Sequence, residues 1–338
     1  MKTVLIGCGR MGQRHIIAAR KLKHEIIGIF DKSTESKKIT QKKFKLKKEV
    51  FYSNLDKMFK ENNAEFCIIA TTADTHYKFV LKSVEHGVKF ILLEKPIATS
   101  IADCEKMNQI CKKNKVFISV NHQMRFQKHY TIIKKLLNTK KFGGLKSMNV
   151  LAGNIGISMN GMHYMEGFRF LTKEKIIKVN GWLEKNKDKN PRGKKFKDVG
   201  GQILAVTKSK KKLYIDASTN QYHGIHVVFI AKNGIITSDE LLNQISYTVR
   251  NSKYLKFPSY RFGMPSDNKR IKLNLNNMTI ESTIEVMKNL IKKKNFVSIN
   301  EAIESIKITQ AAYMSSERNG ITINLSDYFN KKRKFSWA

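Results

Sequence analysis

No stretch of this 338-residue sequence approaches the roughly 18 uninterrupted apolar residues of a membrane-spanning helix, so a helical membrane protein is excluded as its reading. The first residues pass from a short apolar run straight into glycines, without the apolar core or small-residue cleavage site of a signal peptide. A cytoplasmic location is expected. Cysteine is scarce: Cys8, Cys67, Cys104 and Cys111 form no CxxC pair, so buried thiols are expected and no metal site. Acidic residues are few as well, 27 against 64 basic ones, for a net charge of +37. Such a charge suggests nucleic acid, yet only 11 of the 64 are Arg, the residue that grips phosphates and base edges bidentately. The lysines are spread through every segment, as on a solvated surface. We therefore expect neither a nucleic-acid nor a membrane partner. A positive field that attracts anionic small molecules, nucleotide sugars among them, is the milder consequence.

The chain shows no internal repeat and no Gly/Ser-rich linker, and its length and 41% hydrophobic content suit two domains. Thr3–Ile6, Ile26–Phe30, Phe66–Ala70, Phe90–Leu93 and Phe117–Val120 read as short strands buried on both faces. Between them Met11–Leu22, Asn54–Lys60, Thr75–His86 and Ser100–Lys113 carry helical spacing. This alternation predicts an α/β domain with a doubly wound parallel sheet over residues 1–121. After it come helical patterns at Phe126–Leu137 and Gly161–Leu171, then strand-like runs at Gln202–Thr207, Leu213–Thr219, Ile225–Ala231 and Gly234–Thr237. Lys232-Asn233-Gly234 marks a hairpin turn. Helices at Ile280–Lys292 and Asn300–Glu317 and a strand at Ile321–Leu325 complete an α+β domain, residues 122–338, with a largely antiparallel sheet. Residues 185–198 and 250–277 read as polar loops.

Gly7-Cys8-Gly9-Arg10-Met11-Gly12 follows the first strand and opens a helix. In that place the glycines permit a tight turn, close approach to a pyrophosphate, and close packing of helix on sheet. Asp31, at the end of strand two, is positioned to accept the ribose hydroxyls of NAD and to repel the 2′-phosphate of NADP, with Lys32 beside it as a counterweight. NAD is the expected cofactor, ahead of NADP. Glu94-Lys95-Pro96 ends the Phe90–Leu93 strand, where ligands of parallel sheets bind, and a lysine there can stabilise a developing alkoxide.

With these motifs the chain resembles the glucose–fructose oxidoreductase, inositol dehydrogenase and MocA (Gfo/Idh/MocA) family over nearly its whole length. The resemblance includes Gly7–Gly12 with His15, Ala70-Thr71-Thr72 with His76, and Glu94–Ala98. It continues through Val120–Phe126, Gly161-Met162-His163-Tyr164, and Ala312–Ser316 with Gly320. It implies a Rossmann domain, an open mixed sheet often used for homodimers or homotetramers, and hydride exchange with NAD(P) at a carbinol carbon, usually of a sugar. Lys95 and His163 are then the catalytic pair. Gly7, Gly9, Arg10, Met11, Gly12, Asp31, Thr71, Thr72, His76, Glu94, Lys95, Asn121 and Gln123 fall on the cofactor. Lys95, Arg125, Asn160, His163 and Tyr164 fall on a sugar, polyol or nucleotide-sugar substrate.

One position departs from the family pattern. An aspartate usually stands four residues before the histidine; here Met159 does, followed by Asn160, and Glu166 takes the place of a second acid. Some polysaccharide-locus members similarly carry Asn-Gly before the histidine, which brings surface-polysaccharide sugar biosynthesis among the expected roles. A non-catalytic NAD-binding sensor, or a reductase of C=C or C=N bonds, is the alternative. His223 and His226, read as three apart on one strand, face opposite sides and cannot share a metal. The basic run Lys331–Lys334 reads as a fraying segment.

Overall fold

The computed structural model describes residues 1–185, 188, 190, 192–257, 265–273, 278–327 and 329–337. It begins with β1 (Lys2–Ile6), α1 (Arg10–Lys21), β2 (Glu25–Phe30), α2 (Thr34–Phe44), β3 (Phe51–Tyr52) and α3 (Leu55–Glu61). β4 (Phe66–Ile69), α4 (Ala73–Glu85), β5 (Phe90–Leu93), α5 (Ile101–Lys113) and β6 (Phe117–Val120) follow. The six strands pair in parallel in the order β3-β2-β1-β4-β5-β6. β4 and β5 are buried at every residue, which is why they read as unbroken apolar runs. α1 turns Gly12, His15, Ile16, Ala18 and Ala19 onto the sheet at helical spacing. α2 escaped the sequence reading because only Thr40 and Phe44 are buried along it. It is a Lys/Thr/Ser surface helix, started by the Ser33 hydroxyl accepting from the Ser36 amide at 3.1 Å.

The chain continues through α6 (Lys128–Leu137), β7 (Leu145–Leu151), α7 (Met162–Thr172), β8 (Ile176–Lys185), β9 (Val199–Thr207) and β10 (Lys212–Ala217). Next come β11 (His226–Ala231), β12 (Gly234–Asp239), β13 (Gln244–Arg250), β14 (Ser266–Lys272), α8 (Met278–Ile291), α9 (Ile299–Ser316) and β15 (Ile323–Asn324). The second sheet runs β14-β13-β12-β11-β7-β10-β9-β8-β15, with β7–β10 its one parallel pair among the described residues. Its inner face is covered by helices: Tyr130 of α6 meets Phe229 edge-on, and Gly181 lets β8 approach the backbone of α9 at Ala312. On the other face Leu204, Tyr214, Asn149, Val228 and Thr237 stand in register, half-buried.

Two expectations change here. β14 lies inside the segment read as loop. It is an edge strand of sequence Ser-Asp-Asn-Lys-Arg-Ile-Lys, whose charges suit an exposed edge and erase any hydrophobic signal. The domain boundary also moves. One compact unit comprises Met1–Phe126, Asn277–Ile303 and Asn330–Ala338, and the other Gln127–Asn276 with Glu304–Phe329. α8, assigned by sequence to the second domain, buries Val286, Met287 and Leu290 against Leu5, Ile16, Phe66 and Leu92 of the parallel sheet and α1. Nothing local in an amphipathic helix names the face it will cover.

Candidate active site

The glycine turn has the geometry its spacing predicts. Gly7 has φ +92°, and a Cβ there would lie 2.7 Å from the carbonyl oxygen of Ala70. A Cβ on Gly12 would collide with the carbonyl of Gly7, whereas Gly9 borders open space. Of its neighbours, Arg10 is exposed and Met11 half-buried. Asp31 is aimed by two backbone amides: Cys8 N–H donates to Oδ2 at 2.7 Å and Ser33 N–H to Oδ1 at 2.8 Å. Each carboxylate oxygen retains a lone pair for a further donor. Burial, together with the Asp31 charge, pushes the Cys8 thiol up to about 12, so it stays protonated.

Beneath the turn lies a polar network that sequence spacing did not reveal. Glu94 Oε1 is 2.8 Å from His15 Nε2 and accepts from Asn121 Nδ2 at 2.7 Å, while its Oε2 accepts from Lys95 N–H at 3.2 Å. Asn121 also donates to Gln123 Oε1 at 2.8 Å, and Thr283 of α8 donates to the same oxygen at 3.3 Å. Burial by itself raises the Glu94 pKa; His15, the Lys95 charge and the Asn121 amide outweigh it and bring the carboxyl to about 2. His15 Nδ1 and Asn121 Oδ1 are buried without a hydrogen-bond partner, unfilled capacity at the sheet's carboxyl end.

Thr71 and Thr72 start α4, with the Thr75 hydroxyl 2.8 Å from Thr71 Oγ1 and Thr72 Oγ1 2.6 Å from Asp74 Oδ1. His76 is fully enclosed. Its ring nitrogens are each 3.1 Å from a backbone carbonyl, Nδ1 from Ile97 and Nε2 from Thr71, so it bridges the α4 start to the loop after Lys95. Burial lowers its pKa and favours the neutral ring. Lys95 is half-buried at the end of β5, and the Lys95–Pro96 peptide is cis. Arg125 is buried, with Nη2 at 4.0 Å from Glu301.

In the second unit His163 is the second residue of α7 and half-buried. A wide turn at Ile157–Gly161 precedes it, in which Gly161 N–H reaches back to Gly156 O at 3.1 Å. Asn160 Nδ2 donates to Ile155 O at 2.7 Å. Position 159 supplies no carboxylate itself, but one from elsewhere in the chain holds this turn. Asp198 accepts from Ser158 N–H at 2.9 Å and Met159 N–H at 2.7 Å, and it occupies the space a Cβ on Gly156 would need. Asp198 lies 39 residues downstream of Met159, which is why local spacing missed it. Burial pushes it up against the opposing pull of those amides.

Tyr164 is buried, its hydroxyl donating to Glu240 Oε2 at 3.0 Å, and Glu166 is buried 3.2 Å from Arg169. Tyr130, His129 and Tyr164 cluster around Glu240; burial lifts both tyrosines well above their usual range. His223 lies outside β11 and His226 begins it, so the two do not share a strand as expected. Among the described residues no group of three or more His, Cys, Asp or Glu is arranged to hold a metal, and no helix is long and apolar enough to cross a membrane. All four cysteines are free and buried.

Residues 1–122 match the family model GFO_IDH_MocA, an oxidoreductase family with an NAD-binding Rossmann fold. The N-terminal domain of this chain is a Gfo/Idh/MocA oxidoreductase domain. It is 35% identical over 91 residues to 2,7-anhydro-N-acetylneuraminate hydratase of Mediterraneibacter gnavus, a match spanning 27% of this chain and 24% of that protein. It is 29% identical over 143 residues to D-apiose dehydrogenase of Paraburkholderia graminis, 42% of this chain and 37% of that one. The chain thus spans well under half the length of these relatives where it matches them. An Agrobacterium radiobacter oxidoreductase crystallised with NAD+, L-tartaric acid and magnesium superposes with TM-score 0.77 over 96% of this chain and 98% of that one, at 19% identity. That likeness extends the shared fold through the second, mixed sheet.

Proposed function

We propose that this Gfo/Idh/MocA protein is an NAD-dependent oxidoreductase acting at a secondary alcohol or ketone of a sugar, polyol or nucleotide sugar. The observation that carries the reading is the arrangement at one end of the parallel sheet: a glycine turn, an Asp31 carboxylate held by two amides, and Lys95 beside a buried, ionised Glu94. These residues fit a dinucleotide. Gly9 leaves room for a pyrophosphate and Asp31 has lone pairs for two ribose hydroxyls. Thr71, Thr72 and Gln123 lie on the segments that leave the strand ends. The bound nicotinamide would supply hydride transfer at the carbinol carbon.

The chain's own residues handle charge and protons. Lys95 donates a hydrogen bond to the carbinol oxygen and stabilises negative charge as it develops, mainly in the transition state. His163 takes the hydroxyl proton in oxidation and returns it in reduction. Asn160, fixed by Ile155, presents the turn before His163. Arg125 and Tyr164, each buried next to a carboxylate of its own unit, are assigned to substrate binding. His76 supports the cofactor site as a strut between two loops. A 2′-phosphate would meet the Asp31 charge, so NAD is favoured over NADP.

The test follows reduced-cofactor absorbance with NAD and NADP across sugars, polyols and uridine-diphosphate sugars, and with NADH across ketosugars. Turnover on at least one carbinol is expected, with NAD bound at least tenfold more tightly than NADP, about 1.4 kcal/mol. Tight NAD binding without turnover on any of them would favour a sensor, the alternative that Met159 invites. Absence of NAD binding would overturn the reading.

A further inference from the structure

The basic run Lys331–Lys334 is mostly exposed, but two buried aromatic residues follow it. Trp337 is 1% exposed and the bulkiest of the almost wholly buried side chains. Its indole Nε1–H donates to Ala98 O at 2.9 Å, and Phe335 N–H donates to Thr99 O at 2.9 Å. Ala102 N–H donates in turn to Lys331 O at 2.8 Å, and the Lys331 ammonium is 2.9 Å from Glu105. The Phe335 and Trp337 rings stack at 4.3 Å with their planes 6° apart. From the other side His76 Nδ1 meets Ile97 O at 3.1 Å.

The carbonyls of Ala98 and Thr99 therefore each accept from residues 335–337, and that of Ile97 faces His76 of α4. The loop is buried and follows no strand ladder. Without those partners its carbonyls would be left buried and unsatisfied. Glu94, the residue before Lys95, is held by His15 and Asn121, and Ser100 caps α5 after the loop. Between those two fixed points the backbone is held at Ala98 and Thr99 by residues 335–337.

We propose that residues 330–337 form a strap that positions Lys95 through the Ile97–Ser100 loop, with Trp337 as its positioning residue. The inference rests on the catalytic reading of Lys95 given above. Its effect belongs on turnover and not on cofactor affinity, because the strap bonds to the loop beyond the lysine and not to the glycine turn.

The experiment compares Trp337→Phe, Lys95→Met and the double variant. Trp337→Phe keeps the stack on Phe335 and loses only the indole N–H. All are assayed with NAD and the panel sugar that wild type turns over fastest, well below each variant's melting temperature. Trp337→Phe is expected to lower kcat about five- to tenfold with KM for NAD within twofold, and to have no further effect in the Lys95→Met background. Amide exchange of a peptide covering residues 97–104, measured with NAD bound, should quicken at least tenfold in Trp337→Phe. Unchanged exchange, unchanged kcat, or losses that multiply in the double variant would each overturn the strap. Normal turnover of Lys95→Met would instead refute the catalytic reading, and the strap with it.

Discussion

Glu94 is the residue on which the site's electrostatics turn. It is ionised inside the protein because His15, Lys95 and Asn121 surround it, and its pKa falls from 4.5 to about 2 against the push of burial. A depressed carboxylate pKa stabilises the fold fully above the unfolded value, and that contribution disappears as pH falls towards the folded one. The shift corresponds to at most about 3 kcal/mol. Glu94→Gln should therefore unfold at lower urea than wild type at pH 7, with the gap closing between about pH 4.5 and pH 2. A gap independent of pH would mean the carboxylate is not charged in the native state. Asp198 has the opposite sign: burial raises its pKa, so it favours the fold most at low pH. Glu94 was legible in sequence as part of a strand-end motif, but its partners were not. His15 is brought to it by α1 and Asn121 by the end of β6, and Asp198 reaches the α7 turn from just before β9.

At the scale of elements, α8 shows where fold and sequence part company. Its stripe of Val286, Met287 and Leu290 is evident as a helix, yet it completes a sheet whose last strand ended some 160 residues earlier. Leu290→Ala is expected to cost about 2–5 kcal/mol, since the side chain is fully buried and its loss leaves a cavity. Urea unfolding followed by a probe in the first unit should register the loss. A shift of under about 0.5 kcal/mol there would show that α8 does not belong to that core. Five of the six parallel strands and α1, α4 and α5 were readable because each is short, uniformly apolar or clearly amphipathic, whereas β3 is only two half-buried residues long. α2 and β14 were not, because one is polar on nearly every face and the other is a charged edge. The 330–337 segment misled for a related reason: its lysines mask two aromatic anchors.

For the whole molecule, the net charge of +37 sits on a lysine-rich surface, while the chemistry is concentrated in a few buried or half-buried groups. The fold is shared with oxidoreductases of low sequence identity, so activity must be argued from Lys95, His163 and the groups that hold them. The relatives named above include a hydratase as well as a dehydrogenase, so a match in the first domain leaves the net reaction open. The most direct test of the account measures NAD affinity and turnover together in wild type and Lys95→Met. The account predicts an NAD dissociation constant within about threefold of wild type and a kcat at least about 100-fold lower, equivalent to roughly 2.7 kcal/mol of transition-state stabilisation. A Lys95→Met protein that binds NAD and turns over at the wild-type rate would contradict it.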